Sequence, residues 1–259
     1  MKDVQKEKPN YSIPIEQVGV KKLSYPVTII RKSNDIQHTI ADIKLSVSLP
    51  ENFKGTHMSR FISLVEQYKH NLDSDNAKNI LRDMITTFDC KEACVEFLFP
   101  YFIEKRAPVS EISSLMKTTC GFRNSINNGK IKTVLIVQIY ATSLCPCSKE
   151  ISKYGAHNQR CRINVELETK DFIWFEDIIS LLEKSASAPI FALLKRPDEK
   201  FVTELAFDNP MFVEDLTREV FTRLKKNYSK KISQVKIEIE SEESIHQHNA
   251  FATISRRFE

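Results

Sequence analysis

Ile43, Leu45, Val47 and Leu49 alternate with Lys44, Ser46 and Ser48, a period of two that suits an extended strand with one buried face. This period and the helical one recur along the chain in a fixed order, and that order constrains the fold more than any single segment. Residues 26–31 fit as a hairpin partner of the first alternating strand. Met58, Phe61, Leu64, Val65 and Tyr68 then repeat at helical spacing, as do Ile80, Leu81, Met84, Ile85 and Phe88 after a polar break at Asp73-Ser74-Asp75. Residues 94–103 and 131–140, rich in β-branched and aromatic side chains, read as two long strands. Alternation resumes at Ile163, Val165 and Leu167, and a helical face follows in Trp174, Phe175, Ile178, Ile179 and Leu182. Phe212, Leu216, Val220 and Leu224 fall four apart on a further helix, with Asn209 and Pro210 placed as its N-cap and first turn. Val235, Ile237 and Ile239 make a strand, and residues 250–254 the last one.

The order amounts to two consecutive ββααββ-like units. It predicts an α+β protein with antiparallel sheets, helices on one face, and open sheet edges that favour homo-oligomerisation. Charge and proline interrupt the periodicity in residues 1–22, which are expected to be a loosely held tail. The first module is expected over 23–144 and the second over 145–259.

A chain of 259 residues with 41% hydrophobic and 28% charged residues falls in the ordinary globular range. The net charge of +4 is spread among 34 acidic residues, so nucleic acid is not implied, while an anionic small molecule is compatible. The polar N-terminus has no secretory stretch and no apolar run approaches the roughly 20 residues that span a bilayer, so a cytoplasmic protein without membrane association is expected. In a reducing compartment the six cysteines are expected as free thiols or metal ligands rather than disulfides. Five glycines, none closely spaced, exclude dinucleotide fingerprints and phosphate-cradling loops.

The densest chemical cluster is Ser143-Leu144-Cys145-Pro146-Cys147-Ser148-Lys149-Glu150, after an apolar strand, followed by Gly155-Ala156-His157-Asn158-Gln159-Arg160. A thiolate and an imidazole are preferred ligands of zinc and similar divalent metals, and Cys145 and His157 supply one of each. Packed thiols and a hydrogen-bonded loop histidine account for the spacing about equally well. Glu199 follows Lys195-Arg196-Pro197-Asp198, and Glu214 falls in a first helical turn, where a carboxylate is favoured; either is equally readable as a solvated residue. In Glu243-Ser244-Ile245-His246-Gln247-His248, strand periodicity would set His246 and His248 on one face, suited to metal binding or proton transfer, against the plainer reading of a surface pair. His57 and Arg60 lie at a strand-to-helix junction that also reads simply as a helix start.

Gly55-Thr56-His57-Met58-Ser59-Arg60, residues 143–152, residues 155–160, Lys195-Arg196-Pro197-Asp198-Glu199-Lys200, Asn209-Pro210 with Phe212-Val213-Glu214-Asp215, and residues 243–248 together resemble the type IB GTP cyclohydrolase family, nearly end to end. The resemblance implies a tunnelling fold of two tandem ββααββ-like modules and a homotetramer with active sites at subunit interfaces. It also implies conversion of GTP and water to 7,8-dihydroneopterin triphosphate and formate, the first step of tetrahydrofolate biosynthesis. It makes Cys145, His157 and Glu199 the ligands of a divalent metal, zinc, manganese or ferrous iron, that acidifies water for attack at C8 of guanine. Glu214 would hold the guanine, with Glu243, His246 and His248 close by and His246 moving protons. Lys149, Lys153, Arg160 and Arg60, with His57, are assigned to substrate binding from charge and position. Cys90, Cys94, Cys120 and Cys161 are expected to be ordinary thiols. Two rivals remain: a related enzyme with a nucleophilic cysteine that reduces a deazaguanine nitrile, and a non-catalytic pterin- or purine-binding oligomer.

Overall fold

The computed structural model describes residues 5, 7–68 and 74–258; residues 1–4 and 6 of the expected tail and Asp73 of the polar break lie outside them. The elements are β1 (Ile15–Ile30), β2 (Ile36–Leu49), α1 (Met58–Tyr68), α2 (Ser74–Phe88), β3 (Glu92–Arg106), β4 (Ser113–Asn127), β5 (Lys130–Leu144), α3 (Pro146–Ile151), β6 (Asn158–Thr169), α4 (Phe175–Glu183), β7 (Ala188–Pro189), α5 (Arg196–Asp208), α6 (Val213–Tyr228), β8 (Ile232–Glu242) and β9 (Ala250–Arg257). The α+β, antiparallel character expected from the alternation is what the chain adopts.

The first strand starts earlier than expected. Ile15 pairs with Leu49, so residues 15–22 are strand rather than tail. The pairing slips between Ile15 and Val18 and again between Val20 and Leu23, with Lys22 at φ 59°. Each such bulge inserts a residue and resets the period of two, which is why no alternation was visible. The sequence reading passed over β4 for a related reason. Its buried positions include Thr118 and Asn124, which a hydropathy pattern scores as outward. Inside, Thr118 Oγ1 donates to Tyr101 O at 3.2 Å and Thr133 Oγ1 donates to Asn124 Oδ1 at 2.7 Å.

The chain divides into two compact units, one over Met1–Pro100 and Gly121–Val134, the other over Tyr101–Cys120 and Leu135–Glu259. The division does not coincide with the expected boundary between residues 144 and 145, because β3, β4 and β5 each contribute to both units. In the first unit the strands run in the order β1-β2-β3-β4-β5, and α1 and α2 meet through Phe61 and Phe88, stacked at 4.2 Å. In the second the order is β3-β4-β5-β6-β8-β9, with β7 paired to β5. There Ile163, Val165 and Leu167 face Ile239, Ile237 and Val235 across β6 and β8, all fully buried. Each such side chain is worth roughly 1.5–3 kcal/mol of burial, so this paired row and the helix face of Leu216, Val220 and Leu224 form the base on which the neighbouring loops are held. No helix among the described residues is long and apolar enough to cross a membrane.

Candidate functional site

The end of β5 organises the chemistry. Leu144 is buried, its N–H donates to Ser187 Oγ at 3.3 Å, and its carbonyl accepts from Met211 N at 3.0 Å, so the approach to α6 is tied to the strand end. Pro146 lacks an N–H and cannot continue the ladder; the chain turns into the short α3 with Cys145 as its N-cap. Cys145 Sγ accepts from Ser148 N at 3.5 Å. Gly155, at φ +132°, reverses the loop at an angle that side-chain-bearing residues rarely adopt, and Cys145 N then donates to His157 O at 3.1 Å. Ser148 Oγ accepts from His157 N at 3.2 Å and donates to Cys145 O at 3.3 Å, a second stitch between the two.

The histidine ring is oriented by a relay. Gln159 Nε2 donates to Ser143 Oγ at 3.0 Å, which turns the amide oxygen toward His157 Nδ1 at 2.9 Å. Because an amide oxygen only accepts, Nδ1 is the donor in this bond. Ser143 Oγ also accepts from Cys161 Sγ at 3.1 Å. Burial pushes the Cys161 thiol up; hydrogen bonds to Ser143 and Ser241 oppose this and the charges of Glu243 and Glu242 add to it, so the thiol stays protonated and donating. Cys161 is a buried thiol, as expected, and through Ser143 and Gln159, to which the sequence assigned no role of their own, it is linked to the His157 ring. All six cysteines are free, with Cys90 and Cys120 buried, Cys94 half-buried and Cys147 exposed.

Helix α5 carries Glu199 in its first turn, exposed, next to the fully buried Asp198. The helix is seated by Val202, Leu205 and Ala206 against Leu144, Ala188 and Ala156. Burial alone would raise the Asp198 carboxyl, but bonds from Ser110 Oγ and from the N–H groups of Ser110, Lys195 and Val109 outweigh it and hold the group well below the usual carboxylate range. Among the described residues no group of three or more His, Cys, Asp and Glu side chains is placed to hold a metal ion. Cys145 and His157 are brought together through their backbones; Glu199 does not complete a three-ligand group with them.

Glu214 lies in the first turn of α6, exposed. That helix is capped by Phe212, not by Asn209 and Pro210 as expected: Asn209 closes α5, its Nδ2 donating to Leu205 O at 2.7 Å. Lys149 bridges α3 to α5, with Nζ donating to Phe207 O at 2.5 Å and lying over the Phe207 ring at 4.2 Å. Lys153 lies 5.3 Å from the Tyr154 ring centre and Arg160 5.8 Å from that of Tyr140. Glu243, His246 and His248 fall in the loop between β8 and β9, not on a strand, yet the two imidazoles stack at 5.2 Å with 13° between planes. A loop turn, rather than strand alternation, puts them side by side. His57 and Arg60 belong to the other unit, where Arg60 N donates to His57 O at 3.1 Å and the guanidinium to Thr87 O at 3.2 Å.

Several relatives match almost the full chain. The protein named GTP cyclohydrolase FolE2 of Thermosipho africanus is 49% identical over 255 residues, covering 98% of each chain. That of Thermosipho melanesiensis is 50% identical over 254 residues, 98% of this chain and 97% of its own. Among solved structures, urate oxidase from Bacillus sp. TB-90 superposes with a TM-score of 0.55 at 8% identity, covering 94% of this chain and all of that one. Uricase from Arthrobacter globiformis gives 0.54 at 8% identity, covering 93% of each. At such identity the likeness is one of fold. The family model for type I GTP cyclohydrolase folE2 matches residues 1–252, and the chain belongs to that family.

Proposed function

We propose that the chain is a metal-dependent GTP cyclohydrolase, converting GTP and water to 7,8-dihydroneopterin triphosphate and formate at the start of tetrahydrofolate synthesis. The proposal includes a tunnelling fold of two tandem ββααββ-like modules, assembled as a homotetramer with active sites at subunit interfaces. Relatives named GTP cyclohydrolase at about half identity support the activity. The observation that carries the chemistry is the Ser143–Gln159–His157 relay beside Cys145. A histidine whose Nδ1 is bound to a fixed carbonyl oxygen presents Nε2 as a ligand, the arrangement found around metal-bound imidazoles.

The donor chemistry suits a divalent cation. Cys145, His157 and Glu199 offer thiolate, imidazole and carboxylate, a set that accepts zinc, manganese or ferrous iron. When bound, the cation supplies Lewis acidity for hydrolytic attack at C8 of guanine. The chain's own residues do the rest. Glu214 accepts from the guanine N1–H and exocyclic amino group and fixes the purine over the thiol–imidazole pair. His246, stacked on His248, moves the proton at the ring nitrogen released as the imidazole opens, with Glu243 in the same loop assigned to assist. Arg160, Lys153, Lys149, Arg60 and His57 receive the triphosphate.

The test is formate release and oxidised-pterin fluorescence, read together after chelator-stripped protein is given GTP with each metal in turn. Activity returns only with metal, and Cys145→Ala stays at background. Glu214→Gln raises KM by on the order of tenfold or more, as expected for a lost charged contact. Full turnover by metal-free protein, or by the Cys145 variant, refutes the reading.

A further inference from the structure

The loop that carries His246 and His248 leaves β8 after Glu242 and returns at Ala250, with residues 244–249 exposed. Among the described residues, no hydrogen bond holds residues 243–248, and a stretch with so few contacts keeps one shape only if its ends are fixed. One side chain supplies a tether at the returning end. Asn249 Nδ2 donates to Glu240 Oε1 at 2.8 Å, and Glu240 Oε2 accepts from Arg162, its cross-strand partner on β6. Arg162 stands between the fully buried Cys161 and Ile163, so the tether is grounded in the sheet. The Asn249 bond and then the Arg162 charge hold the Glu240 carboxyl below the usual carboxylate range, against a smaller opposing effect of burial. A carboxylate only accepts, so the amide presents its Nδ2.

The contact is surplus to strand pairing. Ser241 and Ala250 already close the β8–β9 ladder, with Glu240 opposite Phe251. Side chains two apart on an extended chain share a face, so Asn249, in line with Phe251, reaches back past the last rung to Glu240. Fixing the Asn249 side chain fixes the backbone just after His248, and with it the direction in which that ring projects. The stack passes the restraint on to His246, the two rings lying 5.2 Å apart with 13° between planes. We propose that Arg162, Glu240 and Asn249 form a positioning chain that holds the His248–His246 stack in the geometry proton transfer needs. This rests on His246 being the proton-transfer residue, as inferred above. In this role none of the three touches substrate; each acts through His248.

Asn249→Asp keeps the size of the side chain and removes the donor, while Glu240→Gln removes the charge that Arg162 and Asn249 share. In the double variant donor and acceptor trade places across the same contact. Initial rates of formate release against GTP concentration are measured for all three beside the wild type. Proton–nitrogen correlation spectra of the imidazoles are recorded on the same proteins, with circular dichroism confirming the fold. Asn249→Asp is expected to lose kcat by about tenfold or more while KM changes little, the size usual for a misplaced reacting group. The ring resonances of His246 and His248, assigned from His246→Ala and His248→Ala, should move together. Glu240→Gln shifts both readouts the same way by less, and the double variant recovers most of the lost kcat. A folded Asn249→Asp with wild-type kcat, or with unmoved ring resonances, overturns the proposal, as does a double variant no better than Asn249→Asp alone. Should Asn249→Asp not fold, Glu240→Gln decides: wild-type kcat and resonances there overturn it equally. A His246→Ala protein with full turnover instead removes the proton-transfer assignment itself, a separate failure.

Discussion

An imidazole coordinates through one nitrogen at a time, and in the proposed site the nitrogen left to His157 is selected by Gln159, whose amide is held by Ser143. Gln159→Leu is close in size but offers His157 Nδ1 nothing. We expect it to fold normally and to lose metal affinity by about 10–100-fold, measured by competition with a chromogenic chelator. Unchanged affinity would mean the ring is oriented by the backbone stitches alone. Cys145 and His157 were singled out in the sequence by their ligand chemistry and by the family resemblance, the spacing alone suiting packed thiols and a loop histidine equally well. Gln159, Ser143 and Cys161 were not. Their bonds run between β5 and β6, and a polar residue paired across strands leaves no local periodic trace. The histidine pair was placed side by side correctly but for the wrong reason, a loop turn having done what alternation was expected to do.

At the scale of elements, the strand end at Leu144 and the first turn of α5 carry opposite kinds of energy. Leu144 is apolar and central to the seat of α5, so Leu144→Ala should cost about 2–5 kcal/mol and lower the melting temperature accordingly. Asp198 is a charge whose contribution depends on pH. Its folded value lies below that of the unfolded chain, so its stabilisation is complete above roughly pH 4 and is lost as pH falls from there through the folded value. The gap in melting temperature between wild type and Asp198→Asn should therefore be widest near neutrality and close progressively in acid. A gap independent of pH would show that the charge itself contributes nothing. The sequence reading contained no α5; Arg196-Pro197-Asp198 is a fair helix start, with proline early and a carboxylate in the first turn, but the following residues lack a clean apolar stripe.

For the whole molecule, apolar side chains on the surface bear on assembly. Ile151 is 85% exposed and Tyr154 89%, both in the stretch between Cys145 and His157. Ile30, Ile36 and Ile40 are exposed on β1 and β2 and Phe251 on β9; among the described residues β1 pairs only with β2 and β9 only with β8. Open edges and apolar side chains of this kind are where further copies of a chain bind. In the proposed tetramer, Ile151→Asp with Tyr154→Asp should shift the light-scattering mass to smaller species and abolish formate release while leaving circular dichroism unchanged. A full-sized, fully active double variant would place the interface elsewhere. Strand alternation and the helical stripes made the α+β, antiparallel class legible from the sequence. The division into units was not, because periodicity is local and the division depends on which distant strands meet.

That division has a consequence during synthesis. The first unit possesses every residue it needs once position 134 has left the ribosome, whereas the second must wait for β9 at residues 250–257 while its own early portion, 101–120, is already outside. Birth order therefore favours completion of the unit holding His57 and Arg60 before Cys145 has a partner. The β3–β4 hairpin, complete at Asn127, waits until position 198 for the carboxylate that binds its turn and until residues 250–257 for the last strand.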